Sequence, residues 1–208
     1  MNLEELEAKV NNLEDELKAL KDVEQIKKLQ RVYGYYLDHC LYDEIIDCFS
    51  DDTESVEISN TGVYLGKDGA KKILKLVCES SKYEGMLGIH MQLQGVVNLD
   101  SDGKTAKGRW RCLMIMATPI EGKLGAVWGH GVYENEYVKE GGKWKIKKLH
   151  FFLTFRTPFE DGWVKTPIVG MGASPPDTVK PDKPTTVHEP YPAAYVVPFH
   201  YGHPVSEG

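Results

Sequence analysis

Apolar residues open the chain in a strict rhythm. Leu3, Leu6, Val10, Leu13, Leu17 and Leu20 follow one another at steps of 3, 4, 3, 4 and 3, with Glu and Lys between them. That spacing is the a/d seam of a coiled coil. Three heptads make a marginal helix in isolation, so residues 1–21 are expected to find a partner. A second subunit is the first expectation, and the chain's own domain is the alternative. Asp22 reads as the cap of a second helix, in which Val23, Ile26, Leu29, Val32, Tyr33, Tyr36 and Leu37 recur at helical spacing. The pattern breaks near Asp38 to Asp43, resumes, and ends at Ser50, which predicts a helical hairpin of unequal arms. Glu54 to Gly66 then reads as two short strands around the turn Asn60, Thr61, Gly62. Lys67 to Ser81 predicts a third helix with Ile73, Leu74, Leu76 and Val77 turned inward.

From Leu87 the apolar period switches to two, and strands are expected over 87–98, 105–117, 126–138 and 143–156. DSDGKT joins the first pair and KEGGK the last, both tight hairpin sequences; TPIEGKLG is a looser connection between them. Lys147 and Lys148 interrupt the alternation and predict a bulge. Helices first and an antiparallel meander afterwards make an α+β domain over 22–157. Beyond it, ten of the eleven prolines fall between Pro158 and Pro204. GASPPDTVKPDKPTT is therefore expected to be extended. The last stretch holds Tyr191, Tyr195, Val196, Val197, Phe199 and Tyr201, too much apolar surface for an idle tail. Residues 158–208 are expected to pack on the domain or on a neighbouring subunit.

Composition narrows the partners. The chain has 208 residues and a net charge of -6, with no block of Lys or Arg, so no nucleic-acid footprint is present. Cys40, Cys48, Cys78 and Cys112 are scattered without a CxxC pair, which favours reduced, packed thiols over a metal site. A charged, heptad-patterned N-terminus does not read as a signal peptide, and no apolar run approaches membrane-spanning length. A cytoplasmic protein with no membrane partner is the expectation. GxSxG, Walker A, strand-following GxGxxG and HExxH are all missing, so nucleophilic, nucleotide-dependent and zinc-hydrolase chemistries lose their usual signals. Proton transfer by side chains, with no metal or other cofactor, is what remains.

The candidates follow from strand and helix parity. In LGIHMQLQGVV, the apolar Ile89, Met91 and Leu93 alternate with His90, Gln92 and Gln94. One face thus carries a titratable ring and two amides that need polar partners. His90 is the expected base. Tyr33 and Tyr36 share a helical face aimed at the sheet, where a phenol can donate to a carbonyl or developing oxyanion. Asp38, ending that run, can orient an imidazole. Trp128 and His130 share a parity that predicts an aromatic wall beside a second acid or base, and His150 is a further pocket candidate. Trp110, Cys112, Met114 and Met116 alternate as apolar lining for a flat ligand. His200 and His203 sit in a Pro/Gly-rich stretch that does not preset metal geometry.

Three helices, a short hairpin and a curved antiparallel sheet form a cone when the helices close one face. That order resembles the SnoaL-like branch of the nuclear transport factor 2-like superfamily. The resemblance is carried over residues 20–157 by DVEQIKKLQRVYGYYLD, FSDD, YLGKDGAKKIL, IHM and GVYENEYVKEGGKWKIKKLHF. Several enzymes of that branch are cofactor-independent lyases, dehydratases and isomerases. By similarity to the bile-acid 7α-dehydratases, Tyr33 and His90 match a catalytic tyrosine and histidine. Met114 and Leu153 stand where those enzymes carry an aspartate and an arginine. The Pro/Tyr-rich tail is similar to that of lyases that release formaldehyde from lignin-derived aromatic dimers. The resemblance implies a cofactor-independent lyase acting on a hydroxylated aromatic or cyclic small molecule, working as a homodimer or homotrimer. His90 would take the proton, Tyr33 would hold the substrate oxygen, and His130 would assist the leaving group. An isomerase or cyclase using the same base, and a non-catalytic small-molecule-binding or protein-interaction module, are the alternatives.

Overall fold

A computed structural model of the chain describes residues 1–120, 122–169 and 179–203. The expected break at Asp22 is absent. α1 runs unbroken over Leu3–Asp38, 36 residues, from an Asn2 cap whose side chain and that of Glu5 satisfy each other's backbone N–H groups. Asp22 caps nothing; it is buried in mid-helix, where its carboxylate accepts from Lys139 Nζ at 2.6 Å and Trp144 Nε1 at 2.9 Å. Residues 1–21 are exposed throughout, and from Asp22 onward the helix buries Ile26, Gln30, Tyr33, Gly34 and Leu37.

α2 (Tyr42–Asp47) completes the hairpin, β1 (Ser55–Ile58) and β2 (Val63–Leu65) flank the expected turn, and α3 covers Gly66–Ser80. The long strands are β3 (Leu87–Leu99), β4 (Thr105–Ile120), β5 (Lys123–Glu140) and β6 (Lys143–Pro158), followed by a short α4 (Gly162–Lys165). The six strands form one curved sheet in the order β2-β1-β6-β5-β4-β3. It is mixed rather than wholly antiparallel, because β1 runs parallel to β6. It is open rather than a closed barrel, because β2 and β3 remain edges.

The helices cover one face. Ile26, Tyr33, Ile73 and Leu74 meet Trp110, Cys112, Tyr133, Tyr137, Ile146 and Phe151 in a single core, and at about 25 cal/mol per Å² this burial is the main stabilising contribution. The tail covers part of the other face. Val197 buries itself on Val132 and Phe152, Tyr191 N–H donates to Thr154 O, and Thr185 and Thr186 donate to the Glu57 carboxylate. The described part of the Pro-rich extension therefore lies on its own chain; the extended run expected over 172–186 falls partly outside the described residues. No described helix is long and apolar enough to cross a membrane.

Three bulges decide which side chains face which way. Between Leu93 and Val96 the β3–β4 register slips, so that Gln94 and Gly95 oppose Trp110 alone. Gln94 takes a φ of 48°, and at Gly95 a Cβ would lie 2.1 Å from the Trp110 ring. In β6, Thr154 and Lys147 are the extra residues of two further slips; the second is the expected bulge.

Candidate active site

The site is built where the end of α1 meets β3. At Gly34 a Cβ would come within 3.0 Å of Gln92 Cγ and 3.1 Å of His90 O, so only glycine lets helix and strand approach so closely. That approach delivers Asp38. Its Oδ1 accepts the backbone N–H of His90 at 2.8 Å and meets the ring Nδ1 at 2.8 Å. An ionised carboxylate only accepts, so Nδ1 carries a proton, and in the neutral ring it is Nε2 that keeps the lone pair. No described residue is hydrogen-bonded to Nε2.

His90 borders two cavities. One, of about 400 Å³, lies between α1 and the free edge of β3, with Arg31, Tyr35, Met91 and Leu93 around it. The other, of about 360 Å³, opens among Leu37, Val77, Tyr83, Met86, Met116, Thr118 and Arg156. Strand register explains the second. His90 pairs with Met114, Met114 with Gly129, and Gly129 with Arg156, so four residues on one face form a row across four strands. Gly129 adds no side chain, and a Cβ there would strike Met114 Cε at 2.5 Å. At about 4.8 Å per strand, the α-carbons of His90 and Arg156 stand roughly 14 Å apart. His90 and Arg156 both line this cavity, with the Met114 side chain packed over Gly129 in the row between them.

Arg156 went unread because of the Thr154 bulge. Without it, Leu153 and Arg156 would face opposite sides; with it, both face inward. Nη1 of Arg156 donates to Val169 O at 2.5 Å, and its backbone N–H donates to Pro167 O. Burial lowers the guanidinium from its usual range.

Several expected residues are elsewhere. Gln92 shares the inward face with His90, but its amide is taken up by Gln30 and by His90 O. The Gln30 side chain also accepts from Asn135 and from the Tyr137 hydroxyl, and that hydroxyl accepts from Trp110 Nε1 at 2.9 Å. This network fills the deep end of the cone, so Trp110 is core rather than lining. Gln94 is turned out by the bulge and is exposed. Met114 is buried within the row beside His90. Tyr33 is fully buried against Phe49 and Tyr133, lines neither cavity, and its hydroxyl has no hydrogen-bond partner among the described residues. Its face of α1 points into the core, away from both cavities that His90 borders. Tyr36 lines a separate groove with Asp43, Glu44 and Lys145.

His130 and Trp128 lie on the opposite face of the sheet from His90, because His130 pairs with Leu113 and not with Met114. There His130 stacks on Phe155 and Trp128 on Phe159. Burial and the neighbouring Arg111 lower the His130 imidazole. His150 is also on that face, stacked on Phe152 at 3.8 Å and 3.3 Å from Glu57 Oε2. It borders a cavity of about 230 Å³ beneath the tail, with Phe199 and His200. For Trp128 and His130, parity told correctly that the two share a side but not which side is inside. Among the described residues no three His, Cys, Asp or Glu side chains are grouped to hold a metal ion.

A sequence model of the SnoaL-like domain matches residues 18–150, more than half of the chain. The chain belongs to the SnoaL-like family. Solved structures agree on the fold. A candidate scytalone dehydratase from Novosphingobium aromaticivorans aligns at 20% identity and a TM-score of 0.59, covering 75% of this chain and 98% of that one. LinA type 3, a hexachlorocyclohexane dehydrochlorinase from Novosphingobium barchaimii LL02, aligns at 20% identity and 0.59, covering 77% and 99%. A type 2 LinA dehydrochlorinase aligns at 23% identity and 0.60, covering 78% and 99%. In this SnoaL-like chain, α1 before residue 18 and the tail after β6 lie outside the matched domain.

Proposed function

We propose that this SnoaL-like protein is a lyase that eliminates a leaving group from a hydroxylated cyclic or aromatic small molecule by acid-base catalysis. The observation that carries the reading is the His90 ring, fixed through Nδ1 on Asp38, at a cavity wall where no described residue is hydrogen-bonded to Nε2. Nε2 removes a proton from the carbon next to the one bearing the leaving group. The C–H electron pair becomes the new double bond, the C–O bond breaks, and the departing oxygen takes the proton back from the imidazolium as water leaves. Asp38 stabilises the imidazolium formed on the way. Arg156, across the row, is assigned to the oxygen that gathers negative charge. Met86, Met116 and Val77 supply apolar walls that hold the ring and exclude water. The names of the neighbours, a dehydratase and dehydrochlorinases, describe eliminations and support this class of reaction.

The test is turnover by the whole chain and its His90→Gln variant on a panel of hydroxylated alicyclic and aromatic compounds. New conjugation is followed by ultraviolet absorbance and released formaldehyde by derivatisation. Turnover by the wild type that falls at least 100-fold in the folded variant supports the lyase. Formaldehyde would replace dehydration by carbon–carbon cleavage, and rearranged product without loss of water would make it an isomerase. Ligands that raise the melting temperature of both proteins equally, without turnover, would make it a binding module.

A further inference from the structure

The first half of α1 projects from the domain as a bare rod. Its six seam residues, Leu3, Leu6, Val10, Leu13, Leu17 and Leu20, are 43 to 69% exposed, on a helix already formed and capped at Asn2. At 100° per residue the seam is centred roughly 170° around the helix from the stripe of Asp22, Ile26, Gln30, Tyr33 and Leu37 that packs on the domain. The helix cannot bury both stripes on one body. We infer that residues 3–20 pair in parallel with the same segment of a second copy of this chain, as a two-stranded coiled coil with the two domains on its outer flanks.

The occupant is chosen by charge. With Leu3 at a and Leu6 at d, the g and e positions that face each other in a parallel pair are Lys9 with Glu14 and Glu16 with Lys21. Two-fold symmetry doubles these to four attractive pairs. Aligning the same six positions antiparallel sets Glu7 against Glu14 of the second copy, twice, for only two attractive Lys9 to Glu16 contacts. Like charges opposed at an interface disfavour that arrangement. The seam ends at Leu20 because the next a and d positions, Glu24 and Lys27, form an ion pair within the chain. Three heptads alone are marginal, but here the helix is anchored at its C-terminal half in the domain, so less order is lost on pairing.

Sedimentation equilibrium of the full chain is expected to give twice the 23.4 kDa chain mass. Leu13→Glu, at a position exposed in the single chain, should weaken self-association at least 100-fold while leaving the circular dichroism spectrum of the domain intact. Leu6→Cys should form a covalent dimer on mild oxidation. In an antiparallel pair, Leu6 would face Leu17 and stand roughly 16 Å along the axis from its counterpart, too far for a disulfide. A monomeric wild type, a different stoichiometry, association indifferent to Leu13→Glu, or failure of Leu6→Cys to cross-link would each overturn the inference.

Discussion

One carboxylate oxygen of Asp38 serves His90 twice, accepting its backbone N–H and its ring Nδ1–H, each at 2.8 Å. The first contact fixes where β3 lies against α1, and the second fixes the tautomer and the plane of the ring. In Asp38→Asn the side-chain oxygen can still accept one N–H, but the charge that supports an imidazolium is gone. We expect kcat to fall roughly 10–100-fold with KM changed little, measured on whichever panel compound the wild type converts. A rise in KM at constant kcat would mean that Asp38 shapes the cavity and does not tune the base.

Tyr33 offers the opposite expectation. Its ring packs edge-on to Phe49 and Tyr133 while its hydroxyl is buried with no hydrogen-bond partner among the described residues, and burial pushes that phenol well above its ordinary range. An unsatisfied polar atom is a liability that phenylalanine removes. Tyr33→Phe should leave stability unchanged or raise it by up to about 1 kcal/mol in chemical denaturation, with turnover intact. A loss of turnover in a stable variant would restore the role expected from sequence resemblance, by requiring the cavity to open down to this hydroxyl.

What could be read ahead of the structure depended on whether local rules or long-range register controlled it. The four long strands and the Lys147 bulge were legible because alternation, turn residues and its interruption are local. His90 and Asp38 were each legible as chemistry, and the resemblance added weight to His90; Gly34, inside the helical pattern near the end of α1, was the unread sign that β3 lies close against that helix. Arg156 went unread and Gln94 was misplaced for one reason: an extra residue in a strand flips every side chain beyond it, and neither the Thr154 nor the Gln94 bulge breaks the apolar pattern visibly. His130 failed differently. Its parity was right, but both faces of this sheet are covered, one by helices and one by the tail, so an apolar neighbourhood did not identify the inside. Asp22 read as a cap because acidic residues favour helix starts; its real partners, Lys139 and Trp144, are more than 100 residues away.

That misreading yields a stability prediction. Burial alone would raise the Asp22 carboxyl, but the hydrogen bonds from Lys139 and Trp144 override it and lower it. Asp22→Ala strands a half-buried ammonium and the Trp144 N–H, and should cost about 3 kcal/mol. Asp22→Asn retains one acceptor and should cost about 1 kcal/mol. Equal losses in urea titrations would show that the charge contributes nothing beyond the hydrogen bond.

The face under the tail should respond to acid. Desolvation pushes His150 down to about 4, outweighing the attraction of Glu57 beside it. Its unfolded value is about 6.5, so the folded chain binds the proton less readily than the unfolded chain. The contribution of neutral His150 is therefore fully present above about pH 6.5 and is lost progressively as pH falls towards 4. On the order of 2 kcal/mol is at stake once residual solvent access is allowed for. Denaturation midpoints of wild type and His150→Gln between pH 7.5 and 4.5 should diverge in slope, the wild type losing more. Because Glu57 also holds Thr185 and Thr186, hydrogen exchange in 182–191 should quicken over the same interval. Parallel pH profiles would mean that Glu57 compensates the charge and that the tail stays seated in acid.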